Sequence, residues 1–359
     1  MSNADNASEE IVDPTVVIGH RNFVEALTSS MASGRMHHAW LLTGPSGIGK
    51  ATVARLAAAW LLSEAVNTKD LFGAEVAGFS VSKEDPGAKL VFNGAHPDYL
   101  AISPVLDDNR SGQIKIDQIR AMVPFMAHKS ARGRYRVTVI DSMDEVNRNG
   151  ANAMLKLLEE PPENSVILLI SSRPGQLPPT IRSRCRVVRM SPLDSPSCRD
   201  VLSEKWPDSD AKQVDLLTQL SVGAPGRAVS LAESGAADCY QVACSLLAES
   251  KPNVSAMAAL TSKWGRGAAA GRISRGGAVF CLDRLLRLAA LKGSGRNALV
   301  PCDFEVPAIR ALYDRHSSAQ LALFHNEFLS ESAKAEGLYV DFSQFLFRQM
   351  IKFSEKTLL

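Results

Sequence analysis

The segment LLTGPSGIGKATVARLAAAW, residues 41–60, limits the folds open to this chain more than any other stretch. It follows the phosphate-binding pattern G-x-x-x-x-G-K-[ST] up to the last position, where Ala51 replaces the hydroxyl residue. An apolar strand precedes the glycines and an alanine-rich helix follows them. In this order, backbone N–H groups and the positive end of the helix can hold an anion. The segment therefore predicts an α/β domain with a nucleotide-type loop. The candidate binding residues of this loop are Gly44, Gly47, Gly49 and Lys50.

Two parts of the machinery for ATP hydrolysis are missing from the sequence. Ala51 cannot ligate Mg²⁺, and the side chain of Thr52 lies about 100° further round the helix. Asp141 ends the strand YRVTVID, where a second metal-coordinating carboxylate belongs. Ser142 follows it instead of the carboxylate that would orient the attacking water. Because the two losses lie far apart in the sequence, they indicate an ATPase that has lost its hydrolytic activity. Asp141 then belongs to a vestigial nucleotide site.

An active ATPase is the alternative that these residues leave open. Asp144 and Glu145 lie just past the strand end, and either could supply the missing carboxylate if the loop had a different shape. Mg²⁺ would then be held through water rather than by the hydroxyl that Ala51 lacks. ATP turnover by the purified chain distinguishes the two hypotheses.

The first half of the chain has the pattern of a parallel sheet. Residues 16–190 alternate short apolar runs with helical patterns, as repeated βα units do. The apolar runs at 135–141 and 165–172 flank a helical pattern at 149–160, which predicts two neighbouring parallel strands. Residues 63–112 are rich in Gly, Asp and Ser, and we expect them to form an insertion or a long connection.

Helical patterns dominate after Met190. The segment SPLDSPS is typical of a linker, and GAPGRAVSLAES, at 223–234, of a turn that enters a helix. CLDRLLRLAAL and FSQFLFRQMIKF are amphipathic, which predicts two further helices. The apolar face of the last one carries Phe342, Phe345, Leu346 and Met350. The glycine-rich, basic stretch at 262–277 is expected to be an exposed loop or a boundary.

The composition of the 359 residues argues against several classes of protein. The formal net charge is only +2, which disfavours a polybasic protein. Charges interrupt each apolar run before it reaches the length of a membrane span. Residues 1–15 are polar and acidic, so we expect a disordered leader rather than a secretory or transit peptide. The cysteines lack the paired spacing of a zinc site, and reduced thiols in a cytoplasm fit them best. They are Cys185, Cys198, Cys239, Cys244, Cys281 and Cys302.

Four segments together resemble the bacterial clamp-loader AAA+ subunits. They are GRMHHAWLLTGPSGIGK, IKIDQIRAM, ANAMLKLLEEPPENSVILLISS and LPPTIRSRC. The resemblance covers roughly residues 16–235, and LLEEPP followed by SRC at this distance is its most specific part. It implies an AAA+ α/β domain with a parallel sheet at 16–190, a small helical lid at 191–250 and an all-α C-terminal collar domain at 251–359.

The resemblance also implies roles for three further residues. In this family the arginine of SRC acts as a finger on ATP held by a neighbouring subunit, a role that falls to Arg184. Ser172 matches the polar sensor at the end of the central strand, and Arg227 in GAPGRA matches the second sensor on the lid. Many relatives carry a four-cysteine zinc module after the glycine loop. This chain has no cysteine before Cys185, so neither zinc nor another metal is expected.

The function implied by the resemblance is that of a stator-like subunit in ATP-dependent loading of the sliding clamp during DNA replication. The expected partners are ATP-hydrolysing motor subunits and a clamp-opening subunit in a heteropentamer. The clamp and primer-template DNA would be reached through this assembly, in the cytoplasm and without a membrane. As part of a DNA polymerase holoenzyme, the chain would have no polymerase or ATPase activity of its own. Its degenerate loop leaves the binding of ATP or ADP open.

A nucleic-acid-binding module is a second alternative. The stretch 262–276 places basic residues around Trp264, an arrangement that can contact nucleic acid. The basic residues are Lys263, Arg266, Arg272 and Arg275. We favour a solvated linker there, because glycine-rich segments usually form flexible connections. Strong, salt-sensitive DNA binding by the isolated chain would support this alternative instead.

Overall fold

The computed structural model describes residues 18–64, 81–82, 84–106, 112–131, 134–265, 271–292, 299–337 and 341–355. The leader expected at 1–15 lies outside these residues, as does Arg266 of the basic stretch. The chain divides into two compact units. Unit 1 comprises Met1–Asp208 and Gly223–Gly226, and unit 2 comprises Ser209–Val222 and Arg227–Leu359. The finer division expected from the sequence, at 190/191 and 250/251, stays a prediction.

Unit 1 is built on a five-stranded parallel sheet with the strand order β2-β5-β6-β1-β7. Its strands are β1 (Ala39–Thr43), β2 (Tyr99–Ile102), β5 (Arg136–Ile140), β6 (Ser165–Ser171) and β7 (Arg186–Arg189). A separate antiparallel pair joins β3 (Val105–Leu106) to β4 (Gly112–Gln113). Strands β1 and β6 are buried along their whole length, as expected for a parallel sheet covered on both faces.

Helices cover both faces of this sheet. They are α1 (Arg21–Ala32), α2 (Lys50–Leu62), α3 (Pro86–Phe92), α4 (Ile116–Ala127), α5 (Arg148–Glu159) and α6 (Pro179–Arg182), and a further helix, α7 (Ser195–Lys205), follows β7 in the chain. Alternate residues of β1 point to opposite faces: Trp40 and Leu42 pack against α1, α2 and α3, while Ala39 and Leu41 pack with α4 and α5. Since all five strands are parallel, the loops after β1, β5 and β6 all begin at the carboxyl ends of the strands, on the same side of the sheet.

Unit 2 is helical in its described residues. It contains α8 (Ala211–Ser221), most of α9 (Pro225–Glu233), α10 (Ala236–Ala248), α11 (Val254–Gly265), α12 (Gly271–Leu291), α13 (Glu305–Arg315), α14 (Ser318–Gly337) and α15 (Phe342–Ser354). Its core contains large aromatic side chains, and Phe328 packs against both Phe345 and Phe353. Within the described part of the chain, no helix has the length and apolar composition needed to cross a membrane.

The expected fold class, an α/β domain with a parallel sheet followed by helical residues, is confirmed. Strands β1, β5 and β6 and helices α2 and α5 form within two residues of the predicted positions. Strands β5 and β6 pair in parallel on either side of α5, as the βαβ pattern predicted. In α15, the four residues of the predicted apolar face are all buried.

Two expectations about the chain are corrected, and one strand was missed. Residues 63–112 are not only an insertion, because they contain α3 and β2, and β2 is a strand of the central sheet. The SRC turn leads directly into β7, an edge strand that the sequence did not suggest. The stretch 262–277 is helical on both sides of its undescribed residues, and Trp264 is only 1% exposed. The tryptophan is therefore part of the core of unit 2 rather than an exposed platform for a base.

Candidate functional site

The glycine loop joins β1 to α2 and packs closely against neighbouring residues of unit 1. A side chain at Gly44 would place its Cβ 2.3 Å from the carbonyl oxygen of Met190, so only glycine fits there. Gly49 has φ +98° and directly precedes α2, in a conformation that other residues rarely adopt. These two requirements fix the path of the loop up to the start of α2.

His20 supports this loop and was not singled out by the sequence. It is buried, directly precedes α1, and its Nε2–H donates to the carbonyl oxygen of Ile48 at 2.7 Å. Burial lowers the pKa of His20, and the nearby charge of Lys50 lowers it further. The ring is therefore neutral at pH 7 and serves as a fixed donor to the loop.

Lys50 is turned back onto its own loop and onto the end of β6. Its ammonium group donates to the carbonyl oxygens of Gly44 at 2.7 Å and Pro45 at 2.6 Å, and to the hydroxyl of Ser172 at 3.0 Å. The residue is 5% exposed, and these three bonds match the three donors of an ammonium group. The structure thus brings Lys50 and Ser172 together, and a bound phosphate would have to replace some of these contacts.

Asp141 directly follows β5 at the same edge of the sheet. Burial raises the pKa of its carboxyl group, the charge of Lys50 lowers it, and the charge of Asp144 raises it. Three of the predicted site residues, Lys50, Asp141 and Ser172, therefore lie around one corner of unit 1.

We expect Asp141→Asn to raise the free energy of unfolding at pH 7. The raised pKa means that the folded state binds the proton more tightly than the unfolded state, so ionisation at neutral pH destabilises the fold. The gain should shrink as the pH falls through the raised folded pKa towards the ordinary aspartate value of 3.8, and it should vanish below 3.8, where both states are protonated. Thermal unfolding between pH 4 and pH 8 measures this, with the exposed Asp208→Asn as control. A variant less stable than the wild type at pH 7 would contradict it.

The two acidic residues beyond Asp141 are already engaged. The Asp144 carboxylate accepts hydrogen bonds from the Ser171 hydroxyl at 2.6 Å, from the backbone N–H of Ser172 at 2.6 Å and from that of Arg173 at 3.3 Å. Ser142, at the position of the missing catalytic carboxylate, accepts from the N–H of Asp144. Asp144 thus fixes the end of β6 rather than facing the glycine loop as a base. The sequence suggested only the second role for it.

Glu145 is also paired. One of its carboxylate oxygens lies 3.5 Å from a terminal nitrogen of Arg173, and its backbone carbonyl accepts from Ile114. Both acidic residues of the alternative ATPase hypothesis therefore have partners of their own, Asp144 at the end of β6 and Glu145 in Arg173.

Arg227, the expected second sensor, belongs to unit 2. Its guanidinium stacks on the ring of Phe280, 4.4 Å from the ring centroid, and donates to the carbonyl oxygen of Ser221 at 3.1 Å. Burial lowers the pKa of Arg227, while the charge of Asp283 raises it. Within unit 2 the side chain is therefore held against α8 and α12.

Arg184 lies in the turn between α6 and β7. Its guanidinium donates to the carbonyl oxygen of Thr180 at 3.0 Å and forms an ion pair with Glu159 at 2.7 Å. A longer contact, at 3.4 Å, reaches the hydroxyl of Ser183. The side chain remains 34% exposed. Glu159 belongs to the LLEEPP segment, and the sequence offered no reason to pair it with this arginine.

Cys185, the last residue of SRC, has a packing role. Burial raises the pKa of its thiol to about 12, so the sulfur stays protonated and unreactive at neutral pH. It packs against the core between the sheet and α5. In the described ranges, no group of His, Cys, Asp and Glu residues could hold a metal ion.

The first half of the chain is similar to known proteins. Residues 19–194 match the family described as "DNA polymerase III, delta subunit". The "DNA polymerase III subunit delta'" of Pseudomonas aeruginosa is 36% identical over 203 residues, which cover 56% of this chain and 58% of the relative. The protein of the same description from Escherichia coli is 28% identical over 229 residues, covering 64% of each chain. The Escherichia coli "DNA polymerase III subunit tau" is 29% identical over 225 residues, covering 62% of this chain and 32% of the relative.

The matches to these curated relatives span less than two thirds of the relatives' own lengths. Among solved structures, a gamma-subunit-related protein from Thermotoga maritima aligns with 92% of this chain and 98% of its own, at 17% identity and a TM-score of 0.42.

Proposed function

We propose that this chain is a delta-prime-type subunit of a bacterial clamp loader, because its residues 19–194 match the family described as "DNA polymerase III, delta subunit". Its role would be to support ATP-dependent loading of a sliding clamp during DNA replication. The proposed partners are motor subunits of the gamma or tau type and a clamp-opening delta subunit in a heteropentamer. The clamp and primer-template DNA would be reached through this assembly in the cytoplasm.

The orientation of Arg184 is the observation that carries this proposal. In the described part of the chain, its side-chain contacts are with α5 and with its own turn, and none is with the glycine loop. An arginine that is partly exposed and not used by its own site suits a phosphate supplied by another subunit. We propose that Arg184 is an arginine finger that acts in trans.

The mechanism follows from the charge that develops during phosphoryl transfer. Negative charge spreads over the oxygens of the transferred group, and a guanidinium placed there stabilises it through charge-assisted hydrogen bonds. The guanidinium of an arginine is a permanent positive charge under physiological conditions. The contribution of Arg184 would be electrostatic and geometric, with no proton transferred to or from this chain.

The chain's own nucleotide site is proposed to be vestigial or weak. Gly44, Gly47 and Gly49 keep the loop open to an anion, and Lys50 could turn from its carbonyl partners to a phosphate. ATP or ADP would bind without the hydroxyl ligand that Mg²⁺ needs at position 51. Asp141, Ser172 and Arg227 complete the proposed set of contributors. We propose no zinc site and no polymerase activity for this chain.

An active ATPase is the rival function, and turnover by the purified chain separates the two. We expect no ATP hydrolysis above that of Lys50→Ala, because Ser142 replaces the water-orienting carboxylate and Asp144 is bonded to the end of β6. The measurement is phosphate release by the chain alone, with Mg²⁺ and saturating ATP. Turnover that Lys50→Ala abolishes would show a working motor and would contradict the proposal.

A further inference from the structure

Glu159 and Arg184 come from different elements of unit 1 and meet at its surface. Glu159 is the last residue of α5, and one of its oxygens lies 2.7 Å from a terminal nitrogen of Arg184. The other terminal nitrogen of Arg184 donates to the carbonyl oxygen of Thr180 at 3.0 Å. The guanidinium is therefore held at both ends, by a side chain from α5 and by the backbone of α6.

The distance between these two partners is fixed by the core. Leu157 and Leu158 of α5 and Ile181 of α6 are buried in one apolar cluster, and Cys185 packs against the same cluster. Two prolines, at 161 and 162, follow the end of α5 and prevent its extension. The carboxylate of Glu159 is thus presented at a set place beside the SRC turn, independently of any partner.

Stability does not explain this ion pair. The two side chains are 34% and 49% exposed, and ion pairs with that much exposure contribute little to folding. The pair instead restricts the rotamers of a long side chain that would otherwise sample many orientations. Pre-arranged donors stabilise a transition state better than donors that must first be ordered.

The remaining donors of Arg184 are sufficient for a phosphate. A guanidinium has five N–H groups, and the contacts with Thr180, Ser183 and Glu159 use three of them. The N–H at Nε is among those left over, and it can take part in a two-pronged contact with phosphate oxygens. The ion pair therefore orients the guanidinium without using up its capacity to bind.

We propose that Glu159 is a positioning residue that holds the Arg184 guanidinium ready for the ATP of a neighbouring subunit. The inference rests on the proposed function of Arg184. It requires an acceptor oxygen at position 159 rather than a negative charge, since the oxygen sets the orientation. A glutamine at this position would keep an acceptor of nearly the same reach.

The test uses the reconstituted clamp-loader assembly with ATP sites other than that of the neighbouring subunit inactivated. We expect Glu159→Ala to lower kcat at that site about ten-fold with little change in KM, as loss of an interaction made in the transition state does. Glu159→Gln should restore kcat to within about two-fold, because an acceptor oxygen is retained. The control is Glu160→Ala, which removes the next, exposed carboxylate of the chain.

A double-variant comparison separates positioning from a general effect. In an Arg184→Ala background, Glu159→Ala should have no further effect on kcat, because the residue to be positioned is absent. Thermal unfolding of the isolated Glu159→Ala chain should match the wild type. Equal kcat values for Glu159→Ala and the wild type would overturn the inference, and so would an unchanged effect of Glu159→Ala in the Arg184→Ala background.

Failure of the inference can be told apart from failure of the proposed function. If Arg184→Ala lowers kcat and Glu159→Ala does not, Arg184 acts in trans without help from Glu159. If Arg184→Ala itself has no effect on kcat, the proposed function and the inference both fall.

Discussion

Arg184→Ala in the assembled clamp loader is expected to lower ATP turnover at the neighbouring subunit's site by about a thousand-fold or more, the range typical of arginine fingers. The reason is the loss of a permanent positive charge that would face the transferred phosphoryl group. Hydrolysis by the reconstituted assembly, with its other ATP sites inactivated, measures this effect directly.

The loss should be specific to this residue and to catalysis. Arg182, two positions earlier, is also exposed, and Arg182→Ala should leave turnover within about two-fold of the wild type. Arg184→Lys should recover only part of the activity, because a lysine offers a point charge and not a planar set of donors. The folding of the Arg184→Ala chain should be unchanged, since its ion pair is partly exposed. An Arg184→Ala assembly with normal turnover would contradict the account.

The second large effect is expected on stability, from Glu305→Ala. Glu305 is fully buried at the start of α13 and accepts hydrogen bonds from Nε of Arg284 at 2.7 Å and from Nη2 of Arg284 at 3.1 Å. It also accepts from the hydroxyl of Tyr240 and from the backbone N–H of Cys302, each at 2.6 Å. Arg284 is itself only 2% exposed, so truncation of Glu305 leaves a buried charge without its counter-ion. We expect a loss of about 3–5 kcal/mol in the free energy of unfolding.

Chemical denaturation followed by circular dichroism measures this loss, because unit 2 is helical in its described residues. A matched control is Glu327→Ala, which breaks an exposed ion pair with Lys352 on the same unit. That control should change the stability by less than about 1 kcal/mol. Similar effects of the two substitutions would show that burial does not set the strength of the Glu305 cluster.

The sequence predicted those parts of the fold whose pattern is long and regular. β1, the glycine loop and α2 follow one another with fixed spacing, and β5 and β6 are runs of buried apolar residues. β2 was missed because its four residues lie within an irregular region and carry little pattern of their own. β7 was missed because it is a short edge strand, RVVR, whose residues are mostly exposed and carry little pattern of their own. The glycines around 262–277 suggested a loop, but packing of Trp264 and its neighbours outweighs their low helix propensity.

The candidate site was predictable to the extent that parallel strands place their ends together. Lys50, Asp141 and Ser172 were each assigned to the nucleotide site, and they follow β1, β5 and β6 in the chain; the structure brings them close together. The contacts of Asp144 and Glu159 were not predictable. Each contact joins side chains that are about 25 residues apart in sequence, and no periodic pattern in the sequence predicts a contact over that separation.

One measurement tests the central claim, that Arg184 of this chain acts at the ATP site of a neighbouring subunit and that the chain does not hydrolyse ATP itself. ATP turnover would be measured for the chain alone, for the motor subunits alone and for the assembly of both with the delta subunit. We predict no turnover above that of Lys50→Ala for the chain alone, and stimulation of the assembly that the wild-type chain provides and the Arg184→Ala chain does not. Turnover by the chain alone, or equal stimulation by the Arg184→Ala chain, would contradict the account.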